Sequence, residues 1–282
     1  AGAEVWFGTL ACGALVRDRQ VTGVVVATPQ GRGVVLAGTV VDATGNADVA
    51  AAAEAPTRYG ISDLGALNVQ IAGCPQRPLA DSYVNTCYTM VDDTDVLDVW
   101  HLMAWRRTSA KKDSAFDVGQ LVDSRERRRI VGDTTLSVED ILGRRTFPDT
   151  ISQHYSNFDA AAFPDSRLLL VSDAKGPCFH TDLPYRSLLP KGLDGILVVG
   201  LGASAERDAM TLIRMQADLQ NQGYAAGTAA AEAAGLGGHT RRVDVKELQK
   251  KLISEDVLDE RVYTDTDSHP RPADEIERAV EA

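Results

Sequence analysis

The 282-residue sequence predicts an α/β fold built on a parallel sheet, and two strand-to-turn patterns carry this prediction. The first is a continuous apolar run at 196–199 that opens onto Gly200-Leu201-Gly202, followed by an alanine-rich helix through about Ala234. The second is an apolar run from Thr39 that ends in a small-residue turn at Thr44-Gly45. Such runs are typical of parallel strands that present their backbone to a phosphate-bearing ligand.

The two glycine turns are expected to meet, because ligands of open α/β sheets bind at the carboxyl ends of the strands. We therefore expect residues 39–44 and 196–199 to lie in one sheet with their turns at the same edge. No β-branched run follows Ala234. The segment 196–234 thus closes a sheet, which counts against an alternative interpretation, an NAD(P)-binding enzyme built on Gly200 and Gly202.

Alternation and turn residues predict the remaining strands, and helical spacing with capping residues predicts the helices. The predicted strands are 4–16, a hairpin of 21–27 with 33–37, 67–72, 167–171 and 185–189. The predicted helices are 49–55 with Asp48 as N-cap, 93–106, a short one capped by Ser137, 244–253, and a turn at 275–280. Residues 264–273 are rich in Asp, Pro and Ser and predict an extended or poorly ordered tail.

Composition excludes several classes of function. The chain has 29 Lys and Arg against 40 Asp and Glu, a formal net charge of −11. Nucleic acids and anionic membranes both require a basic surface, so neither is an expected partner. No apolar run reaches the roughly 20 residues that cross a bilayer. The four cysteines lack C-x-x-C spacing, so no metal site is predicted, and a reducing, cytoplasmic location is favoured.

The order of these motifs resembles the glutathione-reductase-type FAD-dependent oxidoreductases, in their bacterial branch. The resemblance covers residues 1 to about 252 and rests on four stretches: 41–48 (Val-Asp-Ala-Thr-Gly-Asn-Ala-Asp), 127–140, 184–191 (Pro-Tyr-Arg-Ser-Leu-Leu-Pro-Lys) and 225–231. It implies FAD as cofactor and an incomplete FAD-binding Rossmann-like domain, made of the β-hairpin and the closing strand and helix. A mixed α+β substrate domain would be inserted into it.

The resemblance also implies how the chain is divided. The expected segments are 1–59, part of the FAD domain; 60–190, the substrate domain; 191–235, the closing strand, turn and helix; and 236–282, a C-terminal helix and acidic tail. The family's Gly-x-Gly-x-x-Gly unit for the ADP half of FAD is not found before Glu4. We therefore expect a fragment, a processed chain or one subunit of a split enzyme, with the N-terminal FAD-domain half as a partner segment or chain. Self-association stays open.

Candidate site residues follow from the same resemblance. Those expected near FAD lie at the two turns and at the start of the long helix: Ala43, Thr44, Gly45, Gly200, Gly202, Ser204, Arg214, Met215 and Gln216. Candidate acid–base residues are His180, His154, Tyr185 and Arg186. A histidine close to 184–191 is suited to take a proton as hydride leaves a substrate. The structural alternatives are a plain strand-to-helix turn and pocket-wall or surface histidines.

The reaction implied is hydride transfer from a small organic substrate to FAD. The alternative is a non-catalytic assembly subunit, or a remnant of a flavoprotein, that binds no flavin alone.

Overall fold

The computed structural model describes residues 2–59, 69–75, 84–88, 91–92, 95–109, 116–124, 127–157, 178–270 and 278. Contacts divide the chain into two compact units. The first comprises Ala1–Arg58, Arg129–Asn157 and Pro177–Ala282, and the second Tyr59–Arg128 and Phe158–Gly176. Residues 129–157 and 177–190 therefore lie in the first unit, whereas the sequence predicted them as part of the 60–190 segment.

The described strands are β1 (Leu10–Arg17), β2 (Gln20–Thr28), β3 (Gly31–Leu36), β4 (Val40–Asp42), β5 (Thr57–Tyr59), β6 (Val69–Pro75), β7 (Val84–Tyr88), β8 (Phe116–Ser124), β9 (Arg128–Ile130), β10 (Thr150–Ser156), β11 (Phe179–Pro184) and β12 (Ile196–Val198). The helices are α1 (Asp48–Ala52), α2 (Val96–Ser109), α3 (Val138–Leu142), α4 (Arg207–Met210), α5 (Gln216–Gly235) and α6 (Val245–Ser254). The mixture confirms the predicted α/β class.

In the first unit, β1, β2 and β3 form an antiparallel sheet in that order. The predicted hairpin is confirmed, because Thr28 pairs with Gly31 across a tight turn. The first strand begins at Leu10, so residues 4–9, predicted as strand, lie outside it. Val21 and Val26 of β2 are buried, whereas β3 is exposed along its whole length.

A parallel pair, β4 with β12, lies at the centre of the hydrophobic core of this unit. Every residue of β12 is buried, which explains its continuous apolar sequence, since a strand covered on both faces does not alternate. The core cluster joins this pair to β2 and α1 through Val21, Val40, Val49 and Ile196.

Two sequence expectations near these strands are wrong. The N-cap of α1 is Ala47, and Asp48 is the first helical residue; a different carboxylate, that of Asp42, accepts a hydrogen bond from the Ala50 N–H. Residues 185–189, predicted as a strand, contain a 3₁₀ turn at Tyr185–Leu188. The Ser187 hydroxyl closes this turn by donating to the Pro184 carbonyl at 2.7 Å.

The antiparallel pair of β10 and β11 also belongs to the first unit, and α5 and α6 both pack on β10. The C-terminal segment is anchored here. Gln249 donates to the Thr150 carbonyl, and Arg145 forms a bidentate pair with Asp267 at 3.0 Å for both bonds. Residues 265–269 form neither helix nor strand and are held in place through Ser268, which accepts from the Thr146 N–H, while 271–273 of the predicted tail lie outside the described residues.

The second unit contains an antiparallel sheet in the order β7, β6, β8, together with α2. The strand predicted at 67–72 corresponds to β6, and the helix predicted at 93–106 corresponds to α2. The strand predicted at 167–171 lies outside the described residues, as does the turn at 275–280 apart from Arg278, which is helical. Within the described ranges, no helix is long and apolar enough to span a bilayer.

Asp194 joins the loop before β12 to the segment that follows α5. Its carboxylate accepts hydrogen bonds from the Thr240 N–H and hydroxyl, from the Gly195 N–H and from His239. Burial alone would raise the pKa of Asp194, but the hydrogen bonds from Thr240 and His239 outweigh it and hold the pKa below its ordinary value of 3.8. The ionised carboxylate therefore stabilises the fold.

We predict that Asp194→Asn lowers the free energy of unfolding by about 1–2 kcal/mol at neutral pH, because charged hydrogen bonds are lost. Because the pKa of Asp194 is lower in the folded state than the unfolded value of 3.8, its ionised carboxylate stabilises the fold at pH values above 3.8. This stability is lost as the pH falls through the lower folded pKa. The variant should therefore lose less stability than the wild type between about pH 5 and 2. Urea unfolding at several pH values measures both effects. The exposed Asp256→Asn is the control, and an equal loss in it would contradict the prediction.

Candidate functional site

The register of the parallel pair brings the two glycine turns together. Ile196 pairs with Val40 and Val198 with Asp42, and the Val199 N–H donates to the Asp42 carbonyl at 3.0 Å. Both strands run in the same direction, so the turns that follow them leave from one edge of the sheet. This confirms the expectation that 39–44 and 196–199 share a sheet.

Backbone conformation leaves open space at both turns. Gly45 and Gly200 have positive φ angles of 75° and 67°, and a Cβ at either position would meet no atom within 4 Å. Gly202 is different, since a Cβ there would lie 3.0 Å from Val198 and 3.1 Å from the Ala47 nitrogen. Gly202 thus packs the two turns against each other, while Gly45 and Gly200 leave room for a ligand.

Asp42 shapes the first turn, and the sequence analysis did not identify it as a site residue. It is 2% exposed, and its Oδ1 accepts from the Thr44 N–H at 3.0 Å and the Thr44 hydroxyl at 2.7 Å. Its Oδ2 accepts from the Ala50 N–H at 2.9 Å. The carboxylate therefore fixes the turn that carries Ala43, Thr44 and Gly45. An acid at the end of an apolar run, directly before a small-residue turn, was the available signal in the sequence.

Gln222 fixes the second turn and was also missed. It lies inside α5, is 1% exposed, and its Oε1 accepts from the Gly200 N–H at 2.7 Å. A glutamine in an alanine-rich helix gives no signal in sequence that it reaches a glycine turn 22 residues earlier. Because of this bond, the Gly200 turn and α5 are held together.

The start of α5 lies where the sequence predicted it. Met215 is the N-cap, with no side-chain capping bond, and Gln216 is the first helical residue. Arg214 and Met215 are half-buried, and Gln216 is exposed. Further along, α5 contacts β4, β12 and the Gly200–Gly202 turn. The same helix therefore carries the predicted Arg214 segment and packs against both strands.

Ser204, predicted to donate to FAD, is placed in the interior. It is fully buried, and its hydroxyl accepts from the Gly132 N–H and bonds to the Thr135 hydroxyl, both at 2.9 Å. The hydroxyl of Ser204 thus joins its own turn to the segment that contains Gly132 and Thr135. This is a structural role within the protein interior.

The two candidate histidines lie on opposite faces of the β10–β11 pair. His180 pairs directly with Tyr155, and His154 pairs with Thr181. Neighbouring residues on a strand point to opposite faces, so the structure does not bring His154 and His180 into one site. The His180 ring packs on Tyr155 with centroids 4.1 Å apart, and Tyr155 is 52% exposed.

His154 is enclosed. Its side chain is 0% exposed, its Nε2 lies 3.2 Å from the Ser152 hydroxyl, and its Nδ1 lies 3.9 Å from Asp218 of α5. Burial lowers the pKa of His154 to about 4, against a smaller opposing effect of Asp218. The imidazole is therefore neutral at neutral pH and has no exposed surface.

Tyr185 and Arg186 are also occupied within the protein. Tyr185 is 3% exposed, its hydroxyl donates to the Thr240 carbonyl at 2.8 Å, and burial raises its pKa above the ordinary value. Arg186 forms a bidentate pair with Asp149, at 2.9 and 3.0 Å. The polar groups of both residues thus already have partners within the protein.

Comparison with known proteins identifies the class. The sequence matches the family model described as "FAD dependent oxidoreductase" over residues 1–102 and 86–252. The chain belongs to this family, whose cofactor is FAD, as the resemblance of the motifs predicted. No curated protein matches the sequence.

A solved structure described as CabE, an aromatic hydroxylase from angucycline biosynthesis, is similar at 14% sequence identity with a TM-score of 0.36. The alignment covers 90% of this chain and 50% of CabE, so the chain spans about half the length of that protein. A TM-score this low does not establish a shared fold.

We predict that His154→Gln flattens the pH dependence of stability. The folded pKa of about 4 lies below the unfolded value of 6.5, so the unfolded state binds the proton first and the wild type loses stability as the pH falls from 6.5 to 4. The loss should reach about 1 kcal/mol per pH unit. Chemical denaturation across this range measures it. The exposed His101→Gln is the control, and a slope unchanged in His154→Gln would show that this histidine is not buried neutral.

Proposed function

We propose that this chain forms the flavin-contacting and substrate-facing part of an FAD-dependent oxidoreductase that transfers a hydride from a small organic substrate to FAD. One observation carries the proposal: β4 and β12 pair in parallel and place two open glycine turns at one sheet edge. This is the edge at which α/β folds bind their ligands. Family membership makes FAD the ligand expected there.

The residues at this edge fit FAD. A bulky, phosphate-bearing cofactor needs backbone that it can approach closely, and the empty space beside Gly45 and Gly200 provides it. A carboxylate facing the same space would repel phosphate, but that of Asp42 is buried and hydrogen-bonded within its own turn. The two turns therefore leave space for the cofactor, and the Asp42 carboxylate does not face that space.

We assign the flavin end of the cofactor to the start of α5. The N-terminus of a helix carries a partial positive charge, and Arg214 adds a cation one residue before the N-cap. Bound FAD supplies a two-electron acceptor, and a positive environment stabilises the reduced flavin relative to the oxidised flavin. Arg214, Met215 and Gln216 are the residues of this chain that would set that environment.

His180 is the acid–base residue that the geometry favours. It is half-buried and packs on the exposed Tyr155, and its Nε2 is buried without a hydrogen-bond partner among the described residues. An imidazole nitrogen without a partner is suited to exchange a proton with a substrate hydroxyl or amine, and this role requires a side-chain movement that exposes Nε2. His154 is enclosed on the other face, so we do not assign it a role in proton transfer.

We propose that the ADP half of FAD is held by a separate segment or chain that adds a parallel strand beside β4. Within the described residues β4 pairs only with β12, so the backbone of its other edge has no strand partner. An unpaired strand edge is a template for pairing with a further strand. An added strand would pair with this edge of β4 and bring its own turn to the end of the sheet that carries Gly45.

We predict that this chain alone binds FAD about 100-fold more weakly than its complex with the added segment, because the ADP contacts are absent. Quenching of flavin fluorescence on titration measures both affinities. A purified chain of these 282 residues that retains one FAD per molecule would contradict the proposed partner.

We predict that Arg214→Ala lowers the midpoint potential of FAD bound to the complete enzyme and slows its reduction by substrate. The loss should correspond to roughly 1–3 kcal/mol if a charged hydrogen bond is removed. Spectroelectrochemistry and stopped-flow absorbance measure the two effects, and Arg214→Lys should restore part of the potential.

Two further variants make this test specific. Arg242→Ala removes an exposed cation beyond the other end of α5 and should leave the potential unchanged. His180→Ala should alter the pH dependence of flavin reduction with little change in potential. If Arg214→Ala shifts neither potential nor rate, the start of α5 does not face the flavin.

A further inference from the structure

The first turn of α5 is fastened to β10 by one carboxylate. Asp218 is the acidic residue of this turn, and its Oδ2 accepts from the Tyr155 N–H at 3.0 Å. The side chain is 15% exposed. The carboxylate therefore joins a helix and a strand through residues that are 63 positions apart in sequence.

A buried ring nitrogen lies near the same oxygen. The Nδ1 of His154 lies 3.9 Å from Asp218 Oδ2 and has no hydrogen-bond partner. On its other side the ring is held by the Ser152 hydroxyl at 3.2 Å. A fully buried imidazole thus lies beside the carboxylate.

This contact is not ordinary helix capping. The N-cap position of α5 is Met215, and no side chain caps the helix there. By contrast, Asp244 caps α6 by accepting from the Lys246 and Glu247 N–H groups of its own helix. Asp218 instead directs its acceptor to another element, so the bond it makes fixes the position of the helix.

We propose that Asp218, supported by His154, is a positioning residue that sets the start of α5 relative to the face of β10 that carries Tyr155 and His180. The inference rests on the proposed function, in which the start of α5 faces the flavin and His180 faces the substrate. The donor to Asp218 is the backbone of Tyr155, whose ring packs on His180. One carboxylate therefore connects the two halves of the reaction site.

Two substitutions separate position from charge. Asp218→Asn keeps an oxygen that can accept from the Tyr155 N–H but removes the negative charge beside the helix start. Asp218→Ala removes both. The control is Asp244→Ala, which removes a helix cap of comparable stabilising effect at α6.

The experiment measures amide hydrogen exchange at Tyr155, flavin midpoint potential and the pH profile of flavin reduction in the complete enzyme. Asp218→Ala should accelerate exchange at Tyr155 about tenfold or more, raise the potential and displace the pH profile. Asp218→Asn should raise the potential while exchange and pH profile stay near those of the wild type. Asp244→Ala should leave all three readouts unchanged despite lower thermal stability.

The outcomes distinguish this inference from the function on which it rests. Unchanged exchange at Tyr155 in Asp218→Ala would overturn the tether itself. A second outcome is that Asp218→Ala accelerates exchange at Tyr155 without changing the potential or the pH profile, while Arg214→Ala does shift the potential. That result would overturn the positioning role and leave the proposed function standing. If neither the Asp218 nor the Arg214 variants shift the potential, the flavin-facing assignment of α5 fails and this inference fails with it.

Discussion

The parallel pairing of β4 with β12 is the constraint on which the rest of the site depends. It aligns Asp42 with Val198, the last residues of the two strands. The turns that follow therefore begin side by side at the same edge of the sheet. A slip of one residue would move the two turns out of alignment and exchange the side chains that β4 presents to the two faces of the sheet. The core cluster around Val40, Ile196 and Val198 opposes such a slip, because it would expose buried apolar side chains.

Two buried side chains then make the turns rigid. The Asp42 carboxylate accepts three hydrogen bonds from its own turn and from α1, which offsets the cost of burying a charge. Gln222 does the same for Gly200 from α5. A ligand that arrives at this edge therefore meets backbone that is already ordered, and little of its binding energy is needed to order the loops.

The sequence predicted those features that depend on local pattern. The bounds of α5, the β2–β3 hairpin and the parallel pair follow from alanine content, a turn between β-rich runs, and two apolar runs that end at glycine. The sequence failed where tertiary partners decide. Asp48 is a good N-cap by composition, but Asp42 supplies the bond to α1. Tyr185–Leu188 has strand-like residues, but flanking prolines and the bond from Tyr185 to Thr240 favour a tight turn.

The histidines show why a list of candidate residues is not yet a site. Strand alternation indicates that His154 and Tyr155 face opposite sides, but only the register of β10 with β11 places Tyr155, and not His154, beside His180. Burial then separates their chemistry: His154 is enclosed between Ser152 and Asp218, where a proton is unfavourable. His180 packs against a half-exposed tyrosine. Two residues of one type, on adjacent strands, thus have different surroundings: one is enclosed beside α5, and the other lies on a half-exposed face.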